Sequence, residues 1–502
     1  MTIVERLFNI PRTWHERNLY FARDSQVTYG QARQTMLQIA ALLIKQYGIK
    51  PGGQVALCLP MGMTAAHFVL GVLAAGAAFI PLQFNGPPDR LSEILADSEC
   101  LHLITTPALA SKLVGTKSTK GSIKIIVIEP SFSSLAQLLE QTVGLNHPVL
   151  REPHELAAVF FTSGSTGQPK GVMMSRHSMS ETSFMMAPSV PLRGDDRIIM
   201  LAPLHYASAL GLFYPLPVGC STYVASEEEA MFPQKIAEIL ERFKITVWIA
   251  AASRLRHLVE SGELGLRNLT QLRYIEFFGE PIPIETLRTT AKYLPHAVLQ
   301  NTYGASEAFW MSLFTVPAGL ITDLEILPIG KPLSKYKFGL YDDAGKAVGE
   351  GEIGEICVVG PVAITGYWKR ADLTESSRLN GIPNSYRTGD LARLGDDGNY
   401  YFAGRRDHQV KVRGHRFELG EIEATLRLHE SVRDAVAFVI NDEISACISA
   451  ENQAGLLSHV KLICSKRLPV FARPKRIFVF REFPHLASGK VDRLKLREWA
   501  LK

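Results

Sequence analysis

Glycines, hydroxyl side chains and one lysine are concentrated in residues 161–171, which read Phe-Thr-Ser-Gly-Ser-Thr-Gly-Gln-Pro-Lys-Gly. Glycine lets the backbone approach an anion closely, and backbone amides and hydroxyls donate hydrogen bonds to phosphate oxygens. Lys170 adds a positive charge. A flexible surface loop is the alternative, but this many donors with a basic end favours a polyphosphate ligand. The nucleoside-triphosphatase loop needs Gly-Lys followed by Ser or Thr, and Gly171 makes this chain a poor match to it.

Further short motifs follow this loop in a fixed order. They are Asn-Thr-Tyr-Gly-Ala-Ser-Glu at 301–307, Tyr-Arg-Thr-Gly-Asp-Leu at 386–391, Gly-Arg-Arg-Asp at 404–407, Glu-Leu-Gly-Glu-Ile-Glu at 418–423 and Ser-Gly-Lys-Val-Asp-Arg at 488–493. Together they resemble the adenylate-forming superfamily of acyl-CoA synthetases, luciferases and peptide-synthetase adenylation domains, most of all a stand-alone adenylation domain. The resemblance covers nearly the whole chain. It implies an enzyme that uses ATP and Mg²⁺ to turn a carboxylic acid into an acyl-adenylate, releasing pyrophosphate, and then forms a thioester.

The resemblance also implies which residues bind the nucleotide. They are Thr162, Ser163, Gly164, Ser165, Thr166, Gly167, Lys170, Gly279, Glu280, Pro281, Asn301, Tyr303, Gly304, Asp390 and Arg405. Tyr303 is expected to stack on adenine, Asp390 to accept the ribose hydroxyls and Arg405 to support the ribose or phosphates. Ser306 is expected at the α-phosphate, and Glu307 at Mg²⁺, which prefers oxygen ligands.

Lys490 is the residue that the resemblance marks as the catalytic cation. There it bridges the carboxylate and the α-phosphate, so it gains most as charge builds up in the transition state. Without the motif, a lysine on this short turn would be read as a surface residue. Asp407 matches the hinge about which the small domain of relatives swings between an adenylating and a thioester-forming pose. In the second pose residues 411–414 are expected to face a pantetheine arm, and Lys490 to leave the site.

The resemblance also implies nine residues around the acid substrate. They are Ala207, Ser208, Gly211, Ile249, Glu276, Phe278, Thr302, Trp310 and Met311, with His205 expected beside the carboxylate. Ala207 stands where amino-acid-activating relatives usually carry an aspartate for the α-ammonium group. Because a buried ammonium without a carboxylate partner is costly, we expect an aryl acid or an acid whose amine is displaced from the α-carbon.

Glu276 lies in an apolar run, residues 274–279, that predicts a buried strand. With a period of two, Glu276 and Phe278 share one face of that strand, and the resemblance makes that face the wall of the acid pocket. An acid there needs a partner, such as a cationic or hydroxyl group on the substrate. The alternative is an outward-facing glutamate paired with Arg273, and the sequence leaves both open.

The thiol acceptor is expected to be the phosphopantetheine arm of a separate carrier protein, since the chain contains no carrier segment. Coenzyme A, as in an acyl- or aryl-CoA ligase, is the alternative. Basic residues near the C-terminus, Lys466, Arg467, Arg473, Lys475, Arg476 and Arg481, would complement an acidic carrier or form a solvated face.

Composition excludes several other classes. The formal charge is only +5 over 502 residues, without the dense basic stripe of a nucleic-acid binder. The apolar stretch 65–82 is interrupted by His67, two glycines and Pro81, which predicts a buried helix, a turn and a strand instead of a membrane span. The N-terminus has early charges and no signal-peptide pattern. The six cysteines are scattered. We therefore expect buried free thiols in a cytoplasmic protein that binds neither nucleic acid nor membrane.

The elements that must position these residues alternate between strand-like and helix-like runs. Such alternation predicts an α/β fold, here a large N-terminal domain (1–404) of parallel-rich sheets covered by helices with a β-barrel-like subdomain. The strong turn signal Asp-Asp-Gly-Asn at 396–399 predicts a hairpin just before the boundary. A small mobile α+β domain (405–502) is expected after it.

Overall fold

The structure is a computed structural model that describes residues 1–113, 123–162, 169–317, 321, 324–360, 365–406, 409–412, 415–440, 443–451, 455–484 and 491–501, without the side chains of 185–188, 409, 411 and 416. Within these residues the strands are β1 (Asn18–Phe21), β2 (Gln26–Thr28), β3 (Gln54–Cys58), β4 (Ala78–Pro81), β5 (His102–Thr105), β6 (Lys124–Val127), β7 (Leu156–Thr162), β8 (Lys170–Ser175), β9 (Arg197–Met200), β10 (Ser221–Val224), β11 (Val247–Ala251), β12 (Tyr274–Phe278), β13 (Val298–Ala305), β14 (Phe309–Val316), β15 (Lys331–Pro332), β16 (Lys337–Tyr341), β17 (Gly354–Val359), β18 (Gly366–Tyr367), β19 (Ser385–Leu394), β20 (Tyr400–Arg405), β21 (Gln409–Val412), β22 (His415–Glu418), β23 (Asp434–Ile440), β24 (Glu443–Ser449) and β25 (Arg476–Phe480).

The α-helices cover the faces of these strands. They are α1 (Ile3–Phe8), α2 (Tyr29–Lys45), α3 (Met63–Ala74), α4 (Pro88–Ser98), α5 (Pro107–Leu113), α6 (Phe132–Leu139), α7 (Arg176–Ser189), α8 (Glu227–Met231), α9 (Pro233–Arg242), α10 (Ala252–Glu260), α11 (Ile284–Tyr293), α12 (Ala371–Ser376), α13 (Leu419–Leu426), α14 (Leu456–Arg467) and α15 (Arg493–Leu501). Short 3-10 helices add to them, among them Ala207–Phe213.

Two large, mostly parallel sheets form the body of the protein. The first has nine strands in the order β15-β14-β13-β12-β11-β9-β10-β1-β2, and the second seven in the order β18-β8-β7-β4-β3-β5-β6. In the first sheet the neighbouring strands among β9 to β13 pair in parallel. Strand β14 pairs antiparallel with β13. One continuous apolar core, which includes Leu57, Phe160, Tyr214 and Trp310, joins the two sheets.

Smaller sheets complete the fold. The antiparallel strands β16, β17, β19 and β20 form a four-stranded sheet, at the place of the expected barrel-like subdomain. After residue 404, the β21–β22 hairpin and a three-stranded sheet of β23, β24 and β25 pack with α13 and α14 around a core of their own. These features confirm the predicted α/β class.

Several local predictions are also confirmed. The apolar stretch 65–82 forms α3, a turn at Gly76 with a φ of 74°, and β4. The turn signal at 396–399 joins β19 and β20, which pair antiparallel. All six cysteines are free and buried. No helix in the described part of the chain is long and apolar enough to cross a membrane.

Helices α2 and α3 approach closely because Gly71 has no side chain. A Cβ atom at Gly71 would lie 2.2 Å from Cγ2 of Ile39. Both helices lie within the core that joins the two large sheets.

Substitution Gly71→Ala is therefore expected to destabilise the protein. Alanine is favoured over glycine in a helix by roughly 1 kcal/mol, but the collision with Ile39 costs about 1–3 kcal/mol. The expected result is a lower urea midpoint of unfolding. Gln34→Ala, at an exposed position of α2, is the control for an alanine substitution in a helix without a collision. A raised midpoint for Gly71→Ala would show that the helices are not in close contact here.

Candidate functional site

A cavity of about 180 Å³ opens where parallel strands of the nine-stranded sheet end. The carboxyl ends of β9, β11, β12 and β13 contribute Met200, Ala251, Phe278 and Gly304 to its wall. Open α/β sheets bind their ligands at this edge. We call it the acid cavity.

Most residues predicted for the acid pocket line this cavity. The lining includes Ala207, Ser208, Gly211, Ile249, Phe278, Trp310 and Ser306. Phe278 and Trp310 form one aromatic wall, with ring centroids 4.6 Å apart and ring planes 76° apart. The 3-10 helix Ala207–Phe213 contributes Ala207, Ser208 and Gly211 to the lining.

Four predicted positions, among them Glu276, do not line this cavity. Met311 is fully buried in another core with Tyr303, because successive side chains of a strand point to opposite faces and Trp310 already faces the cavity. Thr302 is buried without lining the cavity. His205 lines a second cavity, while the next residue, Tyr206, lines the acid cavity.

Glu276 is fully buried beneath the acid cavity. Its outward-facing alternative is wrong, because Arg273 pairs instead with Asp196, 2.5 Å from Nη2 to Oδ2. Neither carboxyl oxygen of Glu276 has a hydrogen-bond partner among the described residues. Burial raises the pKa of Glu276 to about 8, and the nearby Thr302 hydroxyl offsets part of that rise. Glu276 is therefore mainly an uncharged acid at neutral pH.

Tyr214 connects Glu276 to the acid cavity. Its ring lines the cavity, and its hydroxyl oxygen accepts a hydrogen bond from Nε1 of Trp310 at 2.8 Å. Burial and the neighbouring charge of Glu276 hold the pKa of Tyr214 well above its usual value. With the oxygen fixed by Trp310, the hydroxyl proton of Tyr214 remains to be donated.

A tight hairpin between β13 and β14 carries Ser306 and Glu307. Its register shifts between Tyr303 and Gly304, and a Cβ at Gly304 would lie 1.8 Å from the carbonyl oxygen of Phe309. Phe309 has a φ of 53°, which is unusual for an aromatic residue and typical of functional sites. The hairpin thus holds Ser306 at the acid cavity and buries Glu307.

A cationic cleft lies beside this hairpin. Lys170, at the start of β8, places its Nζ 3.8 Å from Oε1 of Glu307 and 5.3 Å from the ring centre of Tyr367. The Tyr367 hydroxyl donates to the same carboxylate at 2.9 Å. Lys170 also lines a cavity of about 380 Å³. Its other cationic lining residues are Arg387, Arg405 and Arg406.

The expected nucleotide contacts Tyr303 and Asp390 are bonded to each other. The Tyr303 hydroxyl donates to Oδ2 of Asp390 at 2.6 Å, and Arg405 lies 2.5 Å from Oδ1. Tyr303 is buried. The roles of Tyr303 at adenine and of Asp390 at the ribose remain predictions.

The remaining predicted nucleotide residues lie near the same strand ends. Gly279 follows β12 with a left-handed φ of 94°, which favours glycine at this turn. Glu280 accepts from the Ser253 amide at 2.8 Å, and Asn301 donates to the Pro328 carbonyl at 2.7 Å. Pro281 is exposed beside them.

Part of the predicted site lies outside the described residues. These positions are Ser163, Gly164, Ser165, Thr166, Gly167, Asp407 and Lys490. Thr162 is the last described residue before Ser163. Its hydroxyl is buried and has no hydrogen-bond partner within the described part of the chain.

A second cavity, of about 390 Å³, lies between the large domain and the residues after 404. We call it the interdomain channel. The large domain contributes Gln83, Asn85 and His205, and the small domain contributes Val412 and His415 of the hairpin, among others. His415 also lines the acid cavity. The hairpin therefore lies where the two cavities meet.

The two histidines at this junction are neutral. Burial, with smaller contributions from His415 and Arg90, lowers the pKa of His205 to about 3. Burial, with Arg254 nearby, lowers the pKa of His415 to about 4. Nδ1 of His415 contacts the Tyr206 hydroxyl, and its ring stacks on Phe471 at 3.9 Å.

Sequence analysis missed several residues at these cavities. Tyr206, Tyr214, Arg254 and His415 all line the acid cavity. Tyr206 lies directly between His205 and Ala207, so its position beside two expected pocket residues was a usable signal. Tyr214 directly follows the 3-10 helix that carries Ala207, Ser208 and Gly211, and His415 directly follows the predicted segment 411–414, so their positions were also usable signals. Arg254 lies apart from every predicted segment, and no local pattern indicates it.

The buried acid is expected to make stability depend on pH. The pKa of Glu276 is raised in the folded state, so its contribution is fully present below about pH 4.5 and is lost as the pH rises through about 8. In that window the free energy of unfolding falls by at most about 1.4 kcal/mol per pH unit from this group. Glu276→Gln should remove this component, measured as urea unfolding at pH 5, 6.5 and 8.

The exposed Glu285 is the matched control. Glu285→Gln should retain the pH dependence of the unsubstituted protein. Equal pH dependence in the Glu276→Gln variant and the unsubstituted protein would contradict a buried, raised-pKa carboxyl.

Comparison with known proteins assigns the family. The AMP-binding enzyme family matches residues 9–368. The chain is 31% identical over 96% of its length to a dimodular nonribosomal peptide synthase of Bacillus subtilis (strain 168), of which it spans 20%. It is 30% identical over 96% of its length to an L-proline–[L-prolyl-carrier protein] ligase of Streptomyces coelicolor (strain ATCC BAA-471 / A3(2) / M145), of which it covers 94%.

A solved structure shows the same fold. The amide bond synthetase McbA from Marinactinospora thermotolerans superposes with a TM-score of 0.87 at 23% identity, over 99% of each chain. The motif resemblance, the family match and the fold agree, and the chain belongs to the AMP-binding enzyme family.

Proposed function

We propose that this protein activates a small carboxylic acid with ATP and transfers the acyl group to a thiol. In the first step a carboxylate oxygen attacks the α-phosphorus of ATP, forming the acyl-adenylate and breaking the bond to pyrophosphate. In the second, the thiol sulfur attacks the acyl carbon, and AMP leaves with the carboxylate-derived bridging oxygen. The observation that carries the proposal is the hairpin that places Ser306 in the acid cavity and Glu307 beside Lys170.

The charges around the cleft suit this first step. A carboxylate and a triphosphate repel each other, so the site must supply cations and donors. Lys170, Arg387, Arg405 and Arg406 line one cavity, and we assign it to the phosphates. Lys490, from its motif, is assigned the transition-state charge.

The residues present fit Mg²⁺. Glu307 provides a buried carboxylate, the oxygen ligand that this hard cation prefers. When bound, Mg²⁺ would neutralise phosphate charge. The Tyr367 hydroxyl, which donates to Glu307 at 2.9 Å, holds that carboxylate in position.

The acid is a compact aryl acid or an acid whose amine lies away from the α-carbon. The cavity of about 180 Å³ is small compared with ordinary ligand pockets of roughly 300–1,000 Å³. Its described lining contains no aspartate or glutamate, so an α-ammonium group, such as that of the L-proline named for one relative, would lack a charged partner. The Tyr214 hydroxyl would instead meet a polar group at the far end of the acid, and Glu276, which does not line the cavity, would act on that group as a nearby charge.

The acceptor is the phosphopantetheine thiol of a separate carrier protein. The interdomain channel reaches the junction with the acid cavity at His415, and its lining includes Arg473 and Lys475. A relative similar over 94% of its own length is named as a carrier-protein ligase, which favours this acceptor over coenzyme A.

Acid-dependent exchange of labelled pyrophosphate into ATP tests the first step. We expect a signal with aryl or displaced-amine acids in a panel that includes L-proline, other α-amino acids and fatty acids. Lys490→Ala should lower this exchange by at least about 100-fold while transfer from supplied acyl-adenylate continues. Lys495→Ala, an exposed lysine on α15, is the control. Equal loss of both steps in Lys490→Ala would contradict the assigned role.

Glu276 is expected to give amine-bearing acids a distinct pH profile. An ammonium group pairs with the ionised carboxylate, whose fraction rises about tenfold per pH unit below its pKa of about 8. We therefore expect kcat/KM for a displaced-amine acid to rise between pH 6 and 8. An aryl acid without an amine should lack this component, and Glu276→Gln should remove it. A pH profile of kcat/KM that Glu276→Gln leaves unchanged would contradict a role of Glu276 in recognising the amine.

A further inference from the structure

One buried ion pair links the two domains beside the channel. Arg90 on α4 contacts Oε1 of Glu421 on α13, and their side chains are only 12% and 3% exposed. The Arg90 guanidinium also lies 5.9 Å from the ring centre of Phe417 on β22. Arg90 thus touches both elements that follow the hairpin turn.

Both side chains of the pair are buried, so each charge depends on the other for compensation. Burial lowers the pKa of Arg90 to about 10, and the second carboxyl oxygen of Glu421 is buried without a hydrogen-bond partner among the described residues. Removing one member of a buried pair leaves an uncompensated buried charge. We therefore expect α4 and α13 to stay in contact while Arg90 and Glu421 are paired, and to separate when the pair is lost.

The channel depends on this contact, and the acid cavity depends on it far less. Walls from both domains enclose the channel, with Gln83, Phe84 and Asn85 on one side and Val412 and Phe471 on the other. Of the residues that line the acid cavity, His415 alone in the described chain comes after residue 404.

We infer that Arg90 and Glu421 are positioning residues for the thiol-transfer step: their buried ion pair holds the β21–β22 hairpin in the cleft and thereby forms the channel for the acceptor. The inference rests on the proposed two-step function. It separates two effects, because loss of the pair should impair thiol transfer while acid binding and adenylation continue.

A distance measurement between the domains tests, independently of activity, whether the Arg90–Glu421 pair holds the domains together. Spin labels are placed on introduced cysteines at the exposed positions Glu140 and Lys461, since the six native cysteines are buried. The unsubstituted protein should give one dominant distance. Glu421→Gln should broaden the distribution or add a second distance. Glu430→Gln is the matched control, because Glu430 is exposed shortly after α13 and the change is the same Glu-to-Gln substitution.

The half-reactions are then measured on the same variants. Glu421→Gln should lower the rate of acyl transfer from acyl-adenylate to pantetheine at least about tenfold, with pyrophosphate exchange within about twofold of the unsubstituted protein. Glu430→Gln should change neither rate by more than about twofold. The charge-swapped double variant Arg90→Glu with Glu421→Arg should recover part of the transfer rate and the dominant distance.

The outcomes separate the two proposals. An unchanged distance distribution in Glu421→Gln would overturn the inference that the ion pair holds the domains together, whatever the activities are. Equal loss of exchange and transfer also overturns it, since a general structural defect would do this. Absence of exchange with every acid in the unsubstituted protein refutes the proposed function, while the distance measurement still decides whether the pair holds the domains together.

Discussion

The close approach of two backbone segments in the β13–β14 hairpin is the constraint on which the site depends. Gly304 leaves room for the carbonyl of Phe309, and no other residue fits there without displacing backbone. This turn places Ser306 at the acid cavity and Glu307 beside Lys170. Strand β13 also delivers Tyr303 to Asp390. One hairpin therefore joins the acid cavity, the cleft at Lys170 and the carboxylate of Asp390.

Burial sets the charge state of the groups around that hairpin. His205 and His415 are neutral because their pKa values are far below 7, so neither adds positive charge where the acyl group would pass. Glu276 is mainly neutral at pH 7, because burial raises its pKa to about 8. The cations are gathered instead in the cleft lined by Lys170 and Arg405. This separation suits a reaction in which one end of the cleft holds phosphates and the other an uncharged acyl group.

Local sequence signals predicted the strands and turns that build the site, and their limits are physical. The run at 65–82 and the turn at 396–399 were predicted correctly because apolar continuity and turn residues act over a few positions. Side-chain alternation along a strand puts Glu276 and Phe278 on one face. The same alternation puts Met311 and Trp310 on opposite faces and in different cores, although the family resemblance had placed both in the acid pocket. Contacts such as Arg90–Glu421 and Tyr206–His415 join residues more than 200 positions apart, and no local pattern encodes them.

The two cavities give the small domain a defined place in the chemistry. The acid cavity is built almost wholly by the large domain, whereas the channel needs both. The hairpin residue His415 lies at the junction and contacts both cavities.

Transfer of oxygen from the acid to AMP tests the central claim most directly. The acid with the strongest pyrophosphate exchange is labelled with ¹⁸O in both carboxylate oxygens, and the acyl group is trapped with hydroxylamine. The account predicts that the AMP released carries one ¹⁸O, because a carboxylate oxygen bonded to the α-phosphorus. Unlabelled AMP, or ADP with ¹⁸O in inorganic phosphate, would show that the carboxylate does not attack the α-phosphorus.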